Sequence, residues 1–299
     1  MNFLAKNLRG TGVAVVTPFN EDFSIDTESI IRIVDFLIEN GVDYIVVQGT
    51  TGESSTLNKS ERNLSRTAFV NANKGRVPMI LGLGSNDTLS IVNDLRSSQF
   101  SGFSAILSVT PFYNKPSQNG LYKHYSAISK ASPLPIILYN VPSRTGVNML
   151  AKTTIEIASN HSNIIGIKEA CGDLNQVKQL IEKRPKDFMI ISGDDETAVK
   201  TVLLGGDGVI SVAAGCIPKY FTEIIRLALN KNEDLSQKKL NQIQLLLKLL
   251  FAEGNPSGIK SALSSMNLCK NVLRLPLTKV GKDLDLNIKK TITSIYKQQ

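Results

Sequence analysis

The chain has 299 residues, of which 42% are hydrophobic and 20% charged, and this composition excludes a disordered or collagen-like protein. Almost all of its net charge of +8 lies in residues 231–299, where 12 Lys or Arg stand against 5 Asp or Glu. These lysines are spread singly along amphipathic stretches, without an aromatic platform or a Gly-rich RNA motif. They therefore indicate solvated helix faces and no nucleic-acid partner.

Eight short apolar runs, each followed by a turn and a helical stretch, occupy the first two-thirds of the chain. The predicted strands are residues 13–16, 44–47, 79–83, 105–109, 135–139, 164–167, 188–191 and 208–212. Between them apolar residues recur at helical spacing, as at Ile30, Val34 and Leu37. Near-continuous apolar strands that alternate with helices predict a parallel sheet covered by helices.

An open doubly wound sheet and a closed (β/α)8 barrel both fit this alternation. Eight evenly spaced units by residue 212 favour the TIM barrel, which typically needs about 250 residues, and no G-x-G-x-x-G follows the first strand. The remaining predicted elements are helices at residues 220–229, 235–251, 259–266 and 288–296. We therefore predict an α/β protein with a catalytic barrel at residues 1–230 and a helical segment at 231–299 packed on it.

Targeting signals and disulfide patterns are not apparent in the sequence. No apolar stretch approaches the roughly 18 residues of a membrane span, and residues 1–10 lack the apolar run and cleavage site of a secretory signal. Cys171, Cys216 and Cys269 lie far apart and are odd in number, so they suggest neither a disulfide framework nor a zinc site. The prediction is a cytoplasmic protein without a membrane segment.

The residues that follow the strands are the candidates for chemistry, because TIM-barrel active sites lie at the carboxyl ends of the strands. Lys168 ends the sixth predicted strand, which places its amine at the mouth of a low-dielectric barrel. Desolvation there leaves more of the neutral amine that Schiff-base formation with a carbonyl requires. A lysine that reaches water or pairs with Glu169 is the alternative.

Two further candidates follow the fifth strand. Tyr139 ends that strand, and neighbouring parallel strands lie about 4.8 Å apart, so its phenol is expected beside Lys168 as a proton donor and acceptor. A tyrosine that only fills space is the alternative. Arg144 lies in the next loop and offers a bidentate fork for a carboxylate, although a solvated arginine fits as well.

The loops after the second and seventh strands complete the candidate site. Residues 49–53 combine two glycines with Thr50 and Thr51, which suits a carboxylate or a proton relay as well as a plain tight turn. Gly193 precedes two aspartates, and that charge disfavours a phosphate site. His124 and His161 lie in no metal-binding spacing, and no G-x-S-x-G occurs, so metal and triad chemistry are not predicted.

These residues carry a recognisable pattern. Residues 49–57 (GTTGESSTL), 139–146 (YNVPSRTG) and 166–169 (GIKE) resemble the pyruvate-dependent class I aldolase superfamily and, within it, the 4-hydroxy-tetrahydrodipicolinate synthase (dihydrodipicolinate synthase) family. The resemblance runs almost end to end, from residues 12–19 to residues 273–276. Each block falls where the barrel argument places the active site.

The resemblance implies a condensation of pyruvate with L-aspartate 4-semialdehyde on the diaminopimelate route to lysine. Lys168 then forms a Schiff base with pyruvate and Tyr139 transfers protons. Thr50 completes a hydroxyl relay with Tyr113, which is delivered from a neighbouring subunit. The positions implied to bind substrate are Thr51, Ile210, Gly193 and, for the semialdehyde carboxylate, Arg144. The resemblance also implies no metal or organic cofactor and a homo-oligomer, usually a dimer of dimers.

Related activities and a change in regulation remain open at this point. N-acetylneuraminate lyases and keto-sugar-acid aldolases or dehydratases share the lysine and the tyrosine, but residues 143–146 resemble the synthases, and an arginine there suits a small carboxylated aldehyde. A barrel that only binds ligands is the remote alternative. Lysine-inhibited relatives carry histidines where this chain has Lys59 and Arg62. They carry a tyrosine where it has Phe112 and a glutamate where it has Ser90, while Asn86 is kept. Added cations and a lost carboxylate predict weak or absent inhibition by lysine.

Overall fold

A computed structural model describes residues 8–297 as a closed barrel of eight parallel strands in sequential order, in which β8 pairs with β1. The strands are β1 (Gly10–Ala14), β2 (Tyr44–Val47), β3 (Met79–Gly82), β4 (Ala105–Val109), β5 (Ile136–Asn140), β6 (Ile164–Glu169), β7 (Met189–Ser192) and β8 (Gly208–Ser211). The predicted (β/α)8 barrel is confirmed, and the open doubly wound sheet is excluded.

Helices follow the strands and cover the barrel. They are α1 (Thr27–Glu39), α2 (Lys59–Asn73), α3 (Thr88–Ser97), α4 (Gln118–Ala131), a short α5 (Pro142–Thr145), α6 (Ala151–Asn160), α7 (Leu174–Lys183), α8 (Ala198–Leu204), α9 (Pro218–Leu229), α10 (Glu233–Gln242), α11 (Gln244–Phe251), α12 (Ser257–Ser265) and α13 (Lys282–Lys297). Side chains before several helices accept a hydrogen bond from the first turn, among them Asp26, Asn58 and Asp173. Such caps satisfy backbone donors that the helix itself leaves free.

The first strand begins three residues before the predicted run 13–16. Its opening half is Gly-Thr-Gly, which a search for apolar residues passes over. Gly12 is required there because a Cβ would lie 2.1 Å from Cε2 of Tyr44, the buried aromatic residue of the neighbouring strand. The glycine in this strand leaves room for the Tyr44 side chain of β2, and the sequence of β1 alone does not reveal that requirement.

The predicted single helix over residues 235–251 is wrong, because the structure divides it into α10 and α11 at Ile243. This residue leaves the helical conformation, with φ −106° and ψ 4°, and its N–H caps the end of α10. The apolar spacing of Leu240, Ile243, Leu247 and Leu250 runs on across the break, and all four side chains are buried. Periodicity alone therefore could not locate the division.

Apolar side chains fill two layers, one inside the barrel and one between the sheet and the helices. The inner layer includes Tyr44, Ile80, Ile137, Met189 and Ile191, which closes the barrel below the strand ends. The outer layer is larger and extends into α9 to α13. The interior of the barrel is therefore filled by side chains and contains no open channel among the described residues.

The structure also bears on the predictions about membrane segments, the chain ends and the cysteines. Within residues 8–297 no helix is long and apolar enough to cross a membrane. Of residues 1–10, for which no secretory signal is predicted, 1–7 lie outside the described residues. The division into residues 1–230 and 231–299 stays a prediction. Cys171, Cys216 and Cys269 are free thiols.

Candidate active site

A cavity of about 370 Å³ opens at the carboxyl end of the barrel. Six of the predicted site residues line it, namely Thr50, Thr51, Tyr139, Arg144, Lys168 and Gly193. These residues come from the loops and strand ends after β2, β5, β6 and β7. The structure thus brings together groups that are up to 143 positions apart in the sequence.

Lys168 and Tyr139 lie side by side at the ends of β6 and β5. Their Cα atoms are direct partners in the strand pairing, and the Lys168 Nζ lies 4.3 Å from the centroid of the Tyr139 ring. Lys168 is only 6% exposed, and no carboxylate of the described residues lies within 4.0 Å of its Nζ. The predicted position of Tyr139 beside Lys168 is confirmed, and the Lys168 amine forms no ion pair among the described residues.

Glu169 does not pair with Lys168, contrary to the alternative considered from the sequence. Its carboxylate accepts hydrogen bonds from Asn140 Nδ2 at 2.9 and 3.1 Å, from Gln176 Nε2 at 2.9 Å and from the Cys171 N–H at 2.9 Å. Burial raises the pKa of Glu169, and these donors oppose that shift. The network links the ends of β5 and β6, which fixes Tyr139 and Lys168 relative to each other.

Sequence reasoning missed this network. Asn140 and Gln176 are buried, but their partners are 29 and 7 residues away in the sequence. The only signal available was a polar residue directly after each strand-end candidate, Asn140 after Tyr139 and Glu169 after Lys168. Since alternate strand residues face opposite sides, those neighbours were predictably outside the barrel.

Gly193 provides the space that the Lys168 side chain occupies. A Cβ at this position would lie 3.0 Å from Lys168 Cε and 2.7 Å from the Ala170 Cβ. The Gly193 N–H donates to the Glu169 carbonyl at 2.7 Å, which holds the turn after β7 against β6. A larger residue would therefore displace either the turn or the lysine.

We name residues 49–53 the hydroxyl loop, since Thr50 and Thr51 lie at its centre. Two backbone hydrogen bonds close it as a tight turn, from Gly52 N to the Gly49 oxygen at 3.0 Å and from Glu53 N to the Thr50 oxygen at 3.1 Å. The Thr17 hydroxyl donates to the Gly52 carbonyl at 2.6 Å. The tight turn considered from the sequence is present, and it presents both threonines to the cavity.

Asn255, from the C-terminal helical segment, is a cavity residue that sequence reasoning missed. Its Nδ2 donates to the Thr51 hydroxyl at 2.9 Å, and its carbonyl accepts from the Arg144 guanidinium at 3.3 Å. The buried Oδ1 has no partner among the described residues. One residue thus connects the hydroxyl loop with the otherwise exposed Arg144. No local motif marked it, because both partners are more than 100 residues away.

Asp195 lies in the turn after β7 and binds the backbone that follows β8. Its buried carboxylate accepts from the N–H groups of Val212 at 3.1 Å and Ala213 at 2.9 Å. Burial raises the pKa of Asp195 to about 6. From the sequence, the carboxylates at residues 194 and 195 only disfavoured a phosphate site. The structure shows that Asp195 also holds the turn after β7 against the end of β8.

Two predicted residues do not line the cavity. Tyr113 is 88% exposed and has a left-handed backbone with φ 72°, held by a hydrogen bond from its N–H to the Thr145 carbonyl at 3.4 Å. Ile210 is 1% exposed, and its side chain belongs to the inner layer of the barrel. The roles of both residues stay predictions.

A closed (β/α)8 barrel with a buried, unpaired lysine against a tyrosine at its carboxyl end defines a class I aldolase type of site, where an amine can form a Schiff base. Among residues 8–297 no group of three or more His, Cys, Asp or Glu side chains could hold a metal ion. The model of the dihydrodipicolinate synthetase family matches residues 7–295. The chain belongs to this family, and it is an enzyme of the lyase class.

Known proteins agree with this assignment over nearly the full length. The chain is 49% identical over 279 residues to a 4-hydroxy-tetrahydrodipicolinate synthase of Flavobacterium psychrophilum, covering 92% of this chain and 94% of that protein. It is also similar to the chloride-inhibited dihydrodipicolinate synthase of Acinetobacter baumannii complexed with pyruvate, with a TM-score of 0.92, 40% identity and 96% and 98% of the two chains covered. A monomeric dihydrodipicolinate synthase variant has a TM-score of 0.93 and 38% identity, with 97% of each chain covered.

Proposed function

We propose that this enzyme condenses pyruvate with L-aspartate 4-semialdehyde to 4-hydroxy-tetrahydrodipicolinate, a step of the diaminopimelate route to lysine. The observation that carries the proposal is the buried Lys168 amine, free of a salt bridge and packed on Tyr139 in the cavity. The names of the synthases to which the chain is 41% to 49% identical support the same reaction.

The chemistry follows from an amine on a keto acid. The neutral Lys168 amine attacks the keto carbon of pyruvate, water leaves, and the resulting iminium withdraws electrons from the methyl group. Loss of a methyl proton gives an enamine, whose carbon attacks the aldehyde of the second substrate. The amino group of that substrate then attacks the iminium carbon, which closes the ring and releases Lys168. The iminium is itself the electron sink, so the proposed route uses no metal or organic cofactor.

Proton transfer is assigned to Tyr139, with Thr50 and Tyr113 as relay hydroxyls. Tyr139 contacts Lys168 and Thr50 lines the same cavity, whereas Tyr113 is 88% exposed in its own chain. We therefore infer that Tyr113 serves the cavity of a second copy, within a homo-oligomer that we propose to be a dimer of dimers. A monomer lacks one relay hydroxyl.

Carboxylate recognition is assigned to the rim of the cavity. Thr51 and the backbone at Ile210 are proposed to hold pyruvate, and Gly193 leaves room for the adduct on Lys168. Arg144 is exposed at the mouth, where its guanidinium can bind the semialdehyde carboxylate in a bidentate manner.

We also propose a cytoplasmic location, since the buried thiols Cys216 and Cys269 are unpaired and suit a reducing compartment.

The proposed reaction is tested by pyruvate consumption in the presence of L-aspartate 4-semialdehyde, with Lys168→Ala as the matched inactive variant. Turnover by the native enzyme that vanishes in the variant is the expected result. Turnover that needs a keto-sugar acid or N-acetylneuraminate in place of the semialdehyde assigns the enzyme to those aldolases instead. Binding of ligands without any turnover leaves only the binding-protein alternative.

The proposed subunit exchange of Tyr113 is tested by co-expressing Tyr113→Phe with Lys168→Ala. Each variant alone has an impaired cavity, but a mixed oligomer combines an intact Lys168 with a tyrosine from the other copy. We expect activity well above that of either variant. If mixed oligomers form without a gain in activity, Tyr113 does not act across a subunit interface.

A further inference from the structure

A buried ion pair joins the hydroxyl loop to the C-terminal segment. Glu53 is the last residue of the loop, and Lys260 lies in α12, more than 200 positions later. The Lys260 Nζ contacts the Glu53 Oε1, and both side chains have no exposed surface. Neither residue lines the cavity, so the proposed chemistry does not account for them.

Each member of the pair makes further contacts. The Lys260 Nζ donates to the Val272 carbonyl at 2.8 Å and lies 4.2 Å from the centroid of the Phe19 ring. The other oxygen of Glu53 accepts from the Arg274 N–H at 3.1 Å. The carboxylate is therefore tied to the C-terminal segment at two points, while its own backbone forms the end of the loop.

Arg274 extends this connection beyond the loop. Its guanidinium donates to the Glu61 carboxylate at 2.5 and 2.9 Å and to the Thr56 carbonyl at 2.8 Å. These contacts hold the short segment between the hydroxyl loop and α2 against the chain that follows α12. The loop and the segment after it are thus supported by residues 260–274, none of which lines the cavity.

A pair of this kind is a poor source of stability, because removing two charges from water costs about as much as their attraction returns. Burial lowers the pKa of Lys260, and Glu53 opposes that shift. Glu53 also has a left-handed backbone, with φ 50°, which disfavours a residue that carries a Cβ. The pair therefore holds Glu53 in a strained backbone conformation, and Thr50 and Thr51 lie just before it in the same turn.

We propose that Glu53 and Lys260 are positioning residues that set the hydroxyl loop from the C-terminal segment, so that Thr50 and Thr51 face the substrate correctly. The inference rests on the proposed function of those two threonines. Asn255, just before α12, supports it independently, since it donates to the Thr51 hydroxyl at 2.9 Å. The C-terminal segment is in this view a part of the active site as well as a packed appendage.

The test compares Lys260→Met, which removes the charge at similar length, with the neutral double variant Glu53→Gln/Lys260→Met. The double variant leaves no unpaired buried charge, so it keeps the test valid if the single variant unfolds. The matched control is Asp207→Asn, which breaks the Asp207–Arg184 pair before β8, at the amino end of the barrel. Thermal unfolding, kcat and both KM values are measured for each.

We expect the double variant to fold, with kcat reduced about 10- to 100-fold and KM for pyruvate raised, since small misplacements in a site have effects of that size. KM for the semialdehyde should stay within about twofold, because Arg144 is held by the Asn255 backbone. Asp207→Asn should lower the unfolding temperature without changing kcat. That contrast separates positioning from a loss of stability.

A readout independent of turnover distinguishes failure of this inference from failure of the proposed function. Amide hydrogen exchange of residues 49–53 should accelerate in both Lys260 variants, whatever substrate the enzyme uses, while exchange in β7 and β8 stays unchanged. If the double variant keeps native exchange in the hydroxyl loop and native kinetic constants, the pair is structural only and the inference is overturned. Absence of synthase turnover in the native enzyme refutes the proposed function alone.

Discussion

Gly193 offers the sharpest test of how closely the cavity confines Lys168. In Gly193→Ala the new methyl carbon would lie 2.7 Å from the Ala170 Cβ, 3.0 Å from Lys168 Cε and 3.1 Å from Lys168 Cγ. Ordinary contacts begin near 3.4 Å, so the lysine and the turn must separate by several tenths of an ångström. Overpacking of this kind costs about 1–3 kcal/mol.

The same displacement moves the amine away from the position in which pyruvate is attacked. We expect kcat/KM for pyruvate to fall about 10- to 100-fold, equivalent to roughly 1.4–2.7 kcal/mol of transition-state free energy. The measurement is the rate at which borohydride traps the pyruvate adduct on the enzyme, together with steady-state kinetics. Gly215→Ala is the control, because its Cβ would have only ordinary contacts, the nearest 3.4 Å away at Ile259 Cδ1. Native trapping by Gly193→Ala would refute the confinement of Lys168.

Two further predictions concern stability and regulation. Burial lowers the pKa of His124 to about 4, so as the pH falls the unfolded chain binds the proton first, and the contribution of His124 to the free energy of unfolding should fall by about 3 kcal/mol between pH 6.5 and 4. Chemical denaturation of the native enzyme and of His124→Gln should show their free energies of unfolding changing relative to each other by that amount across the range, and a constant difference contradicts the assignment. L-lysine at about 1 mM should inhibit weakly or not at all, since Lys59 and Arg62 add cations and Ser90 is no carboxylate. Strong inhibition in the turnover assay at that concentration refutes this prediction.

The barrel was predictable because its strands are local signals. β2 and β4 have the predicted bounds, and the lysine and tyrosine could be placed side by side from the order of the strands alone. The break at Ile243 was not predictable, since the buried face continues through it. The start of β1 was hidden for a different reason, because Gly12 is selected by the bulk of Tyr44 on another strand.

In the active site, the cavity residues at the strand ends and in the loops that follow them were predictable, whereas the residues of the C-terminal segment that contact the hydroxyl loop, Asn255 among them, were not. Lys168 and Tyr139 lie at strand ends, where a general rule for barrels directs attention. Asn255 and Lys260 act on the hydroxyl loop across more than 200 residues of sequence, and an isolated Asn or Lys in a helical stretch gives no sign of such a partner. Long-range polar contacts become visible only once the chain is folded.

Lys168 is the amine that we propose to bind pyruvate, and every step of the proposed reaction depends on it. The direct measurement is reduction of the native enzyme with borohydride in the presence of pyruvate, followed by peptide mass mapping. Lys248 also lines the cavity and serves as the internal comparison. We expect one reduced pyruvyl group per chain, on the peptide that contains Lys168, and none in Lys168→Arg. A pyruvyl group on Lys248, or no adduct at all, would contradict the assignment of Lys168.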